Sequence, residues 1–142
     1  MPTTIMNAVH IPYDTLNPDK NLTDFLSFLR SVKMRYEGNA REQQDKEAQL
    51  QDLEHYVELH SDMDCKGGYK AYKDIREVRR ARRGLKQENE LLTPLYEWIN
   101  LNEQALNSLT QTLGKVRKTA ELIEGRMYTT RTDVLEEGTV NG

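Results

Sequence analysis

Apolar residues recur through most of the chain at alternating intervals of three and four positions, the spacing that places them on one face of an α-helix. This frame stays in phase from residue 20 to residue 61, so we predict one long helix there. Asn17 followed by Pro18 suits the start of that helix, as N-cap and first helical residue. The pair Gly38-Asn39 is a place where the helix could break. The positions of the frame are Leu22, Phe25, Leu29, Val32, Tyr36, Leu50, Leu53, Val57 and His60.

The segment SDMDCKGGY predicts a chain reversal, because glycine adopts positive φ at little cost and Gly67-Gly68 supplies two glycines in a row. A second helix is predicted to follow over 69–92. Arg82 and Asn89 occupy two of its seam positions, and a polar Asn at such a site fixes the register of paired helices at some cost in stability. The apolar members of this seam are Ile75, Val78, Leu85 and Leu92.

Thr93-Pro94 marks the next predicted boundary. Proline inside a helix removes a hydrogen bond and costs about 3 kcal/mol or more, whereas it is favourable as the first helical residue after a threonine N-cap. We therefore predict a third helix over 94–127, with a heptad frame shifted from the one that ends at Leu92. Its seam consists of Leu95, Ile99, Leu106, Leu109, Leu113, Val116, Ala120, Ile123 and Met127.

Residues 1–19 and 128–142 lack the helical pattern and are predicted to form extended arms. Segments 3–11 and 128–135 have strand-like composition, so the arms could pair as short strands. The prediction is an all-α fold with one helical domain over 20–127, arranged as a long antiparallel helical hairpin or a coiled-coil-like three-helix arrangement. The second and third predicted helices cannot cover the first in a compact globule. Either they form one kinked arm antiparallel to the first helix, or another chain covers part of it, as in a homo-oligomer.

Composition agrees with long amphipathic helices rather than a large globular core. Only 37% of the 142 residues are hydrophobic, 30% are charged and the mean hydropathy is -0.81. A single cysteine, Cys65, excludes an internal disulfide framework and fits a reducing compartment. The sequence contains no signal-peptide pattern and no apolar run long enough to span a membrane, so a cytoplasmic protein without membrane contact is expected.

Charge is distributed unevenly along a chain whose net charge is -3. Residues 41–64 contain two basic and eight acidic residues, whereas residues 66–86 contain nine basic and two acidic ones. One interpretation is that the two segments neutralise each other across the hairpin, with Arg82 in an internal ion pair. The other is that outward arginines contact phosphate. The candidate binding face consists of Lys73, Arg76, Arg79, Arg80 and Arg83, with Trp98 as the candidate anchor for a partner.

Two features weaken the nucleic-acid interpretation. Asp74 and Glu77 interrupt the basic helix, and we identify no aromatic residue interleaved with the arginines for base stacking. A second basic cluster, Lys115, Arg117 and Lys118, lies near the predicted end of the third helix, where it would complement the helix dipole.

The sequence provides no recognisable catalytic or metal site. It lacks a phosphate-binding glycine loop, HExxH and GxSxG. His60 and Cys65 have no ligand spacing typical of zinc, and His60 is expected to lie partly buried in the seam. We therefore expect a non-enzymatic protein without metal or cofactor.

Three segments carry a resemblance to a group of proteins. NLTDFLSFLR at 21–30, VRRARRGLK at 78–86 and LGKVRK at 113–118 followed by RMYTTR at 126–131 resemble small helical proteins encoded by phages and prophages of Gram-positive bacteria. The resemblance covers most of residues 21–135. It implies an accessory protein in the host cytoplasm that binds a host or phage machine, and it implies no catalytic residues.

Two binding hypotheses follow. The first is a helical interaction protein that self-associates through a coiled-coil seam and binds a protein partner. The second is a nucleic-acid-binding protein that uses the arginines of the second helix. The candidate assembly seam consists of Leu106, Leu109, Leu113, Val116 and Ile123.

Overall fold

Helices account for nearly all of the chain that the structure describes. A computed structural model describes the backbone of residues 13–141 and the side chains of residues 15–127, and this part of the chain contains no strand. The all-α prediction is therefore confirmed. The predicted strand over 3–11 lies outside the described residues. The helices are α1 (Tyr13–Leu16), α2 (Pro18–Leu59), α3 (Cys65–Leu101) and α4 (Glu103–Asn141).

The start of α2 follows the predicted N-cap. Asn17 adopts a φ of 50°, a left-handed conformation that asparagine tolerates better than most residues. Its carbonyl accepts the amide of Asn21 at 3.1 Å, and its side-chain Oδ1 accepts the amide of Lys20 at 3.4 Å. The helix then continues through Gly38 and Asn39 without the break that their sequence would allow.

The chain reversal lies upstream of the position predicted for it. The turn occupies residues 60–64, whereas Gly67 and Gly68 lie inside the first turns of α3, and no glycine in the described chain has a positive φ. Asp64 is the N-cap of α3, since its Oδ1 accepts the Gly67 amide at 2.8 Å. A Cβ atom at Gly67 would approach that Oδ1 to 3.1 Å. The lack of a side chain at Gly67 therefore lets the Asp64 carboxylate approach closely enough to cap α3. It is not what reverses the chain.

Pro94 lies within α3. The predicted boundary between helices 69–92 and 94–127 is therefore wrong. The three-four spacing continues through Leu92, Tyr96 and Ile99, and Ile99 is buried. Pro94 and Glu90 are both exposed, so water can reach the Glu90 carbonyl that lacks a partner amide at Pro94. Packing along the seam therefore keeps α3 continuous through Pro94, although proline by itself favours the first position of a helix.

The break between the last two helices falls at Asn102. Its carbonyl accepts the amide of Leu106 at 3.0 Å, and Glu103 places a negative charge at the helix N-terminus. Helix α4 continues to Asn141, so the prediction of an extended arm over 128–142, with a strand at 128–135, is wrong. Once a helix is nucleated, adding residues is inexpensive, and Thr costs only a few tenths of a kcal/mol per residue.

Two compact units divide the described chain. One comprises residues 13–27 and 102–141, and the other comprises Phe28–Leu101. Leu26 and Leu113 are the buried apolar residues of the first unit, where Leu26 rather than the predicted Phe25 occupies the buried position. None of the described helices has an apolar stretch that could cross a membrane. The buried residues of the second unit are Leu29, Val32, Asn39, Leu50, Ala71, Asn89 and Ile99.

Candidate binding surface

The contacts between α2 and α3 determine which side of α3 faces solvent. Arg35 near the middle of α2 contacts Glu88 late in α3, and Glu47 further along α2 contacts Arg82 earlier in α3. The two helices therefore run antiparallel within the unit Phe28–Leu101. The inward side of α3 is the seam that passes through Ala71, Ile75, Val78, Arg82, Leu85, Asn89, Leu92, Tyr96 and Ile99.

Two buried asparagines form the polar centre of this seam. Asn39 Nδ2 donates to Asn89 Oδ1 at 2.9 Å, and Asn89 Nδ2 donates to the carbonyl of Tyr36 at 3.0 Å. Asn39 Nδ2 also donates to Glu88 Oε1 at 2.6 Å. The heptads predicted the seam position of Asn89. Asn39 was predicted only as part of a possible break in the helix.

Glu88 is held by two donors from α2. Arg35 Nη2 donates to Glu88 Oε2 at 3.1 Å, in addition to the bond from Arg35 Nε to Oε1. The hydrogen bonds from Arg35 have the largest effect on the pKa of the Glu88 carboxyl, and the hydrogen bond from Asn39 has the next largest. Both hold that pKa below its ordinary value. The pKa of the Arg35 guanidinium is raised by the same contact.

Tyr96 belongs to the interior of the helix pair. Its ring stacks on Tyr36 with centroids 3.9 Å apart, and its hydroxyl donates to Glu37 Oε2 at 3.0 Å. The predicted seam ended at Leu92 and did not include Tyr96, because a helix boundary was predicted at Thr93-Pro94.

Neutralisation between the basic and acidic segments accounts for part of the arginine cluster. Arg79 reaches Glu54 and Arg82 reaches Glu47, each at 3.4 Å. Both contacts involve largely solvated side chains, so each contributes at most about 1 kcal/mol. Arg82 therefore has an ion-pair partner on α2, as its predicted inward position requires. Arg79 also contacts α2 and so does not belong with the outward arginines.

Three predicted arginines remain on the outward side of α3. Arg76, Arg80 and Arg83 are exposed, and none of them has an ion pair or hydrogen bond within the described chain. Lys73 is exposed beside them, with its Nζ 5.7 Å from the ring centroid of Tyr69. These side chains form a positive surface that the acidic segment of α2 does not neutralise.

Two tyrosines that were not among the predicted site residues share this outward side. Tyr69 is 64% exposed and Tyr72 is 60% exposed. From Tyr72 to Arg76, Arg80 and then Arg83 the intervals are four, four and three residues, which keeps all of them on one helical face. No aromatic residue lies between the arginines, as the sequence indicated, but these two tyrosines continue the same face on its N-terminal side. We call Tyr69, Tyr72, Arg76, Arg80 and Arg83 the basic-aromatic face.

The outward side of α3 becomes apolar towards its C-terminal end. Leu91 is 78% exposed, Trp98 is 44% exposed, and Leu95 between them is also exposed. Arg80 and Trp98 are 18 residues apart, about five helical turns, so the predicted anchor lies in line with the predicted arginines. We call Leu91, Leu95 and Trp98 the apolar row.

The candidate assembly seam on α4 is partly buried within its own unit. Leu113 is 7% exposed, and the other four predicted members are half-buried. Arg117 Nε and Nη2 donate to Asp19 Oδ1 and Thr23 Oγ1, both at 2.9 Å. Because α4 extends beyond residue 127, Arg117 lies far from the helix end and serves this contact, not the helix dipole.

His60 and Cys65, the side chains considered for metal binding, do not belong to a group of metal ligands in the described chain. His60 is exposed, and its ring stacks on Tyr56 with centroids 4.1 Å apart, so the predicted seam position is wrong for it. Cys65 is an exposed free thiol at the first residue of α3. Within residues 15–127, no three His, Cys, Asp or Glu side chains are grouped to hold a metal ion.

No family model, curated protein sequence or solved structure matches the chain.

Proposed function

We propose that the protein is a non-enzymatic helical interaction protein that binds a protein partner through the apolar row and self-associates through α4. The observation that carries the proposal is the exposure of Leu91, Leu95 and Trp98 on one helical face. Leucine and tryptophan on one face bury substantial area when covered, and tryptophan is enriched among the residues that dominate binding energy. The resemblance to phage and prophage proteins implies a host or phage partner in the bacterial cytoplasm.

The arginines next to the row suit this role. Arg80 and Arg83 lie two to three turns before Leu91 on the same outward side of α3. An interface with an apolar centre and charged margin gains affinity from the centre and selectivity from the margin. A partner with an apolar groove next to acidic residues would match both parts.

The test uses a substitution that cannot disturb the seam between α2 and α3. Leu91→Asp changes a highly exposed side chain, and Met34→Asp changes a similarly exposed side chain on α2 of the same unit. With each variant immobilised and exposed to extract from a Gram-positive host, we expect a protein that is retained by the wild type and by Met34→Asp and lost with Leu91→Asp. Equal retention by all three would contradict the proposal, provided that circular dichroism shows equal helicity.

A second candidate function is nucleic-acid binding, which is favoured by the absence of ion pairs at Arg76, Arg80 and Arg83 within the described chain. Binding through phosphate contacts weakens steeply with salt. Titration of a labelled nucleic acid at rising salt should give a linear log–log plot, and its slope should become shallower when these arginines are replaced by glutamine.

A further inference from the structure

The structure assigns a ligand class to the basic-aromatic face: we propose that it binds single-stranded nucleic acid, with Tyr69 and Tyr72 stacking on bases and the arginines contacting phosphates. This inference rests on the second candidate function and specifies its ligand. It is carried by the juxtaposition of exposed tyrosines and unpaired arginines on one side of α3.

The dimensions of the face suit a short stretch of an extended strand. Tyr69 and Arg83 are 14 residues apart, so the face extends about 21 Å along the helix. The tyrosines occupy its N-terminal end and the arginines follow on successive turns. Single strands are bound in this manner, by a positive surface that follows the phosphates and aromatic rings that accept bases.

Packing leaves most of the surface of both tyrosines uncovered. Tyrosine normally buries much of its ring, yet both rings are mostly solvent-accessible. The Lys73 ammonium lies 5.7 Å from the Tyr69 ring centroid, and Tyr72 has no ring contact or hydrogen bond within the described chain. A base stacked on either ring would cover apolar surface that is now in water, and Lys73 would supply a further positive charge beside it.

Stacking distinguishes a single strand from the other polyanions that arginines attract. Bases in a duplex are already stacked on each other, so a duplex could use the arginines but not the rings. An acidic protein would likewise need only the positive charge. The acidic segment 41–64, most of which lies on α2, repels any polyanion and so favours its approach to α3.

The experiment measures fluorescence anisotropy with a labelled oligothymidylate and, in parallel, a duplex of equal length, at low salt and then at rising salt. We expect the single strand to bind more tightly than the duplex. Replacing Tyr69 and Tyr72 by leucine should weaken single-strand binding about tenfold for each tyrosine, with the duplex nearly unaffected. Replacing Arg76, Arg80 and Arg83 by glutamine should make the single-strand salt slope shallower by about 2.

Two controls show whether these effects are local. Tyr56→Leu removes an exposed tyrosine of α2, and Arg30→Gln removes an exposed arginine of α2 in the same unit. Neither should change the affinity for the single strand. Circular dichroism of every variant separates loss of binding from loss of structure.

Each outcome decides between the alternatives. If neither nucleic acid binds at low salt, the second candidate function and this inference both fail. If strand and duplex bind equally and the tyrosine variants behave like wild type, nucleic-acid binding stands and the single-strand assignment is overturned. If a polyglutamate peptide competes as effectively as the oligonucleotide, the face recognises acidic protein and the assignment is also overturned.

Discussion

A buried pair of asparagines determines how α2 is aligned against α3. Asn39 and Asn89 are both buried and are hydrogen-bonded to each other across the seam. A shift of either helix by one heptad would place each amide against apolar or charged side chains, where its hydrogen bonds would be lost. Because a buried amide without partners costs about 1–3 kcal/mol, the pair selects one register over its neighbours.

This role predicts strong coupling between the two positions. Asn89→Leu alone should lower the free energy of unfolding by about 1–3 kcal/mol, since it leaves the Asn39 amide facing a leucine. Asn39→Leu combined with Asn89→Leu should recover most of that loss, because an apolar pair needs no hydrogen bonds. Urea unfolding of the two single variants and the double variant measures the coupling.

The matched control is Asn100→Leu, an exposed asparagine on the same helix, which should change stability by less than about 0.5 kcal/mol. If the double variant loses the sum of the two single losses, the asparagines do not act as a pair.

Glu88 predicts a dependence of stability on acid. Because Arg35 and Asn39 lower its pKa in the folded protein, the carboxylate binds protons less readily there than in the unfolded chain, where the ordinary value is 4.5. Its contribution to stability is therefore complete above that value and is lost as pH falls through the lower, folded pKa. Glu88→Gln should remove this part of the pH dependence.

Urea midpoints measured between neutral pH and about pH 3 provide the test. Wild type should lose more stability on acidification than Glu88→Gln does. Glu90→Gln, an exposed neighbour on α3, should follow the wild-type curve. Parallel curves for all three proteins would exclude Glu88 as a source of acid sensitivity.

Pro94 shows a helix maintained by tertiary packing against local preference. Its missing amide leaves one carbonyl of α3 without an intrahelical partner, and the Thr93 hydroxyl donates to the Asn89 carbonyl at 2.6 Å in the adjacent turn. On either side of Pro94, the seam residues Tyr96 and Asn89 are fixed to α2 by stacking and hydrogen bonds. These contacts offset the cost of an interior proline.

Replacing that proline should therefore stabilise the protein. Pro94→Ala restores the amide donor and should raise the free energy of unfolding by about 2 kcal/mol, the helix penalty of about 3 kcal/mol less the entropy of up to about 1 kcal/mol that proline removes from the unfolded chain. Pro18→Ala is the control, since Pro18 is the first residue of α2 and has no such penalty. Thermal unfolding of both variants provides the measurement. A loss of stability in Pro94→Ala would mean that Pro94 acts as a helix start.

The sequence was a good guide at most heptad positions that held an aliphatic residue, although the predicted seam position of Leu95 is wrong, since Leu95 is exposed on the outward side of α3. It placed Leu29, Val32 and Leu50 in the seam because only packing explains their spacing.

The sequence was less reliable at polar and aromatic residues, because it placed Tyr36 and Asn89 in the seam but not Asn39 or Tyr96. Tyr96 was not among the predicted seam positions, and the boundary at Pro94 was predicted from the local preference of proline.

The candidate binding surface was foreseen in part. The outward arginines followed from helical spacing alone, but their alignment with Trp98 did not, because a helix boundary was predicted between them at Pro94. Tyr69 and Tyr72 follow from the same spacing, but Gly67-Gly68 placed Tyr69 at the edge of a predicted turn. The real turn ends at Asp64, whose capping hydrogen bond depends on a close approach that the sequence does not reveal.

Self-association is the property on which the proposed assembly role of α4 depends. Leu106, Leu109 and Val116 lie on the same side of α4 as the buried Leu113 but are only half-buried. In its own unit, α4 extends for 39 residues, whereas α2 contributes only residues 18–27. A second copy that covered the remaining apolar surface would stabilise the unit by burying it.

This proposal predicts concentration-dependent association that depends on one side of α4. Sedimentation of the wild type should show a dimer or larger species that dissociates on dilution, and Leu109→Gln should shift it towards monomer. Leu122→Gln is the matched control, since Leu122 lies on the opposite side of the same helix and is already exposed. A strict monomer at high micromolar concentration would refute the intermolecular seam, and equal effects of the two substitutions would show that association uses another surface. In either case the half-buried leucines would serve the fold of a single chain, and the outward side of α3 would be left as the surface for partners.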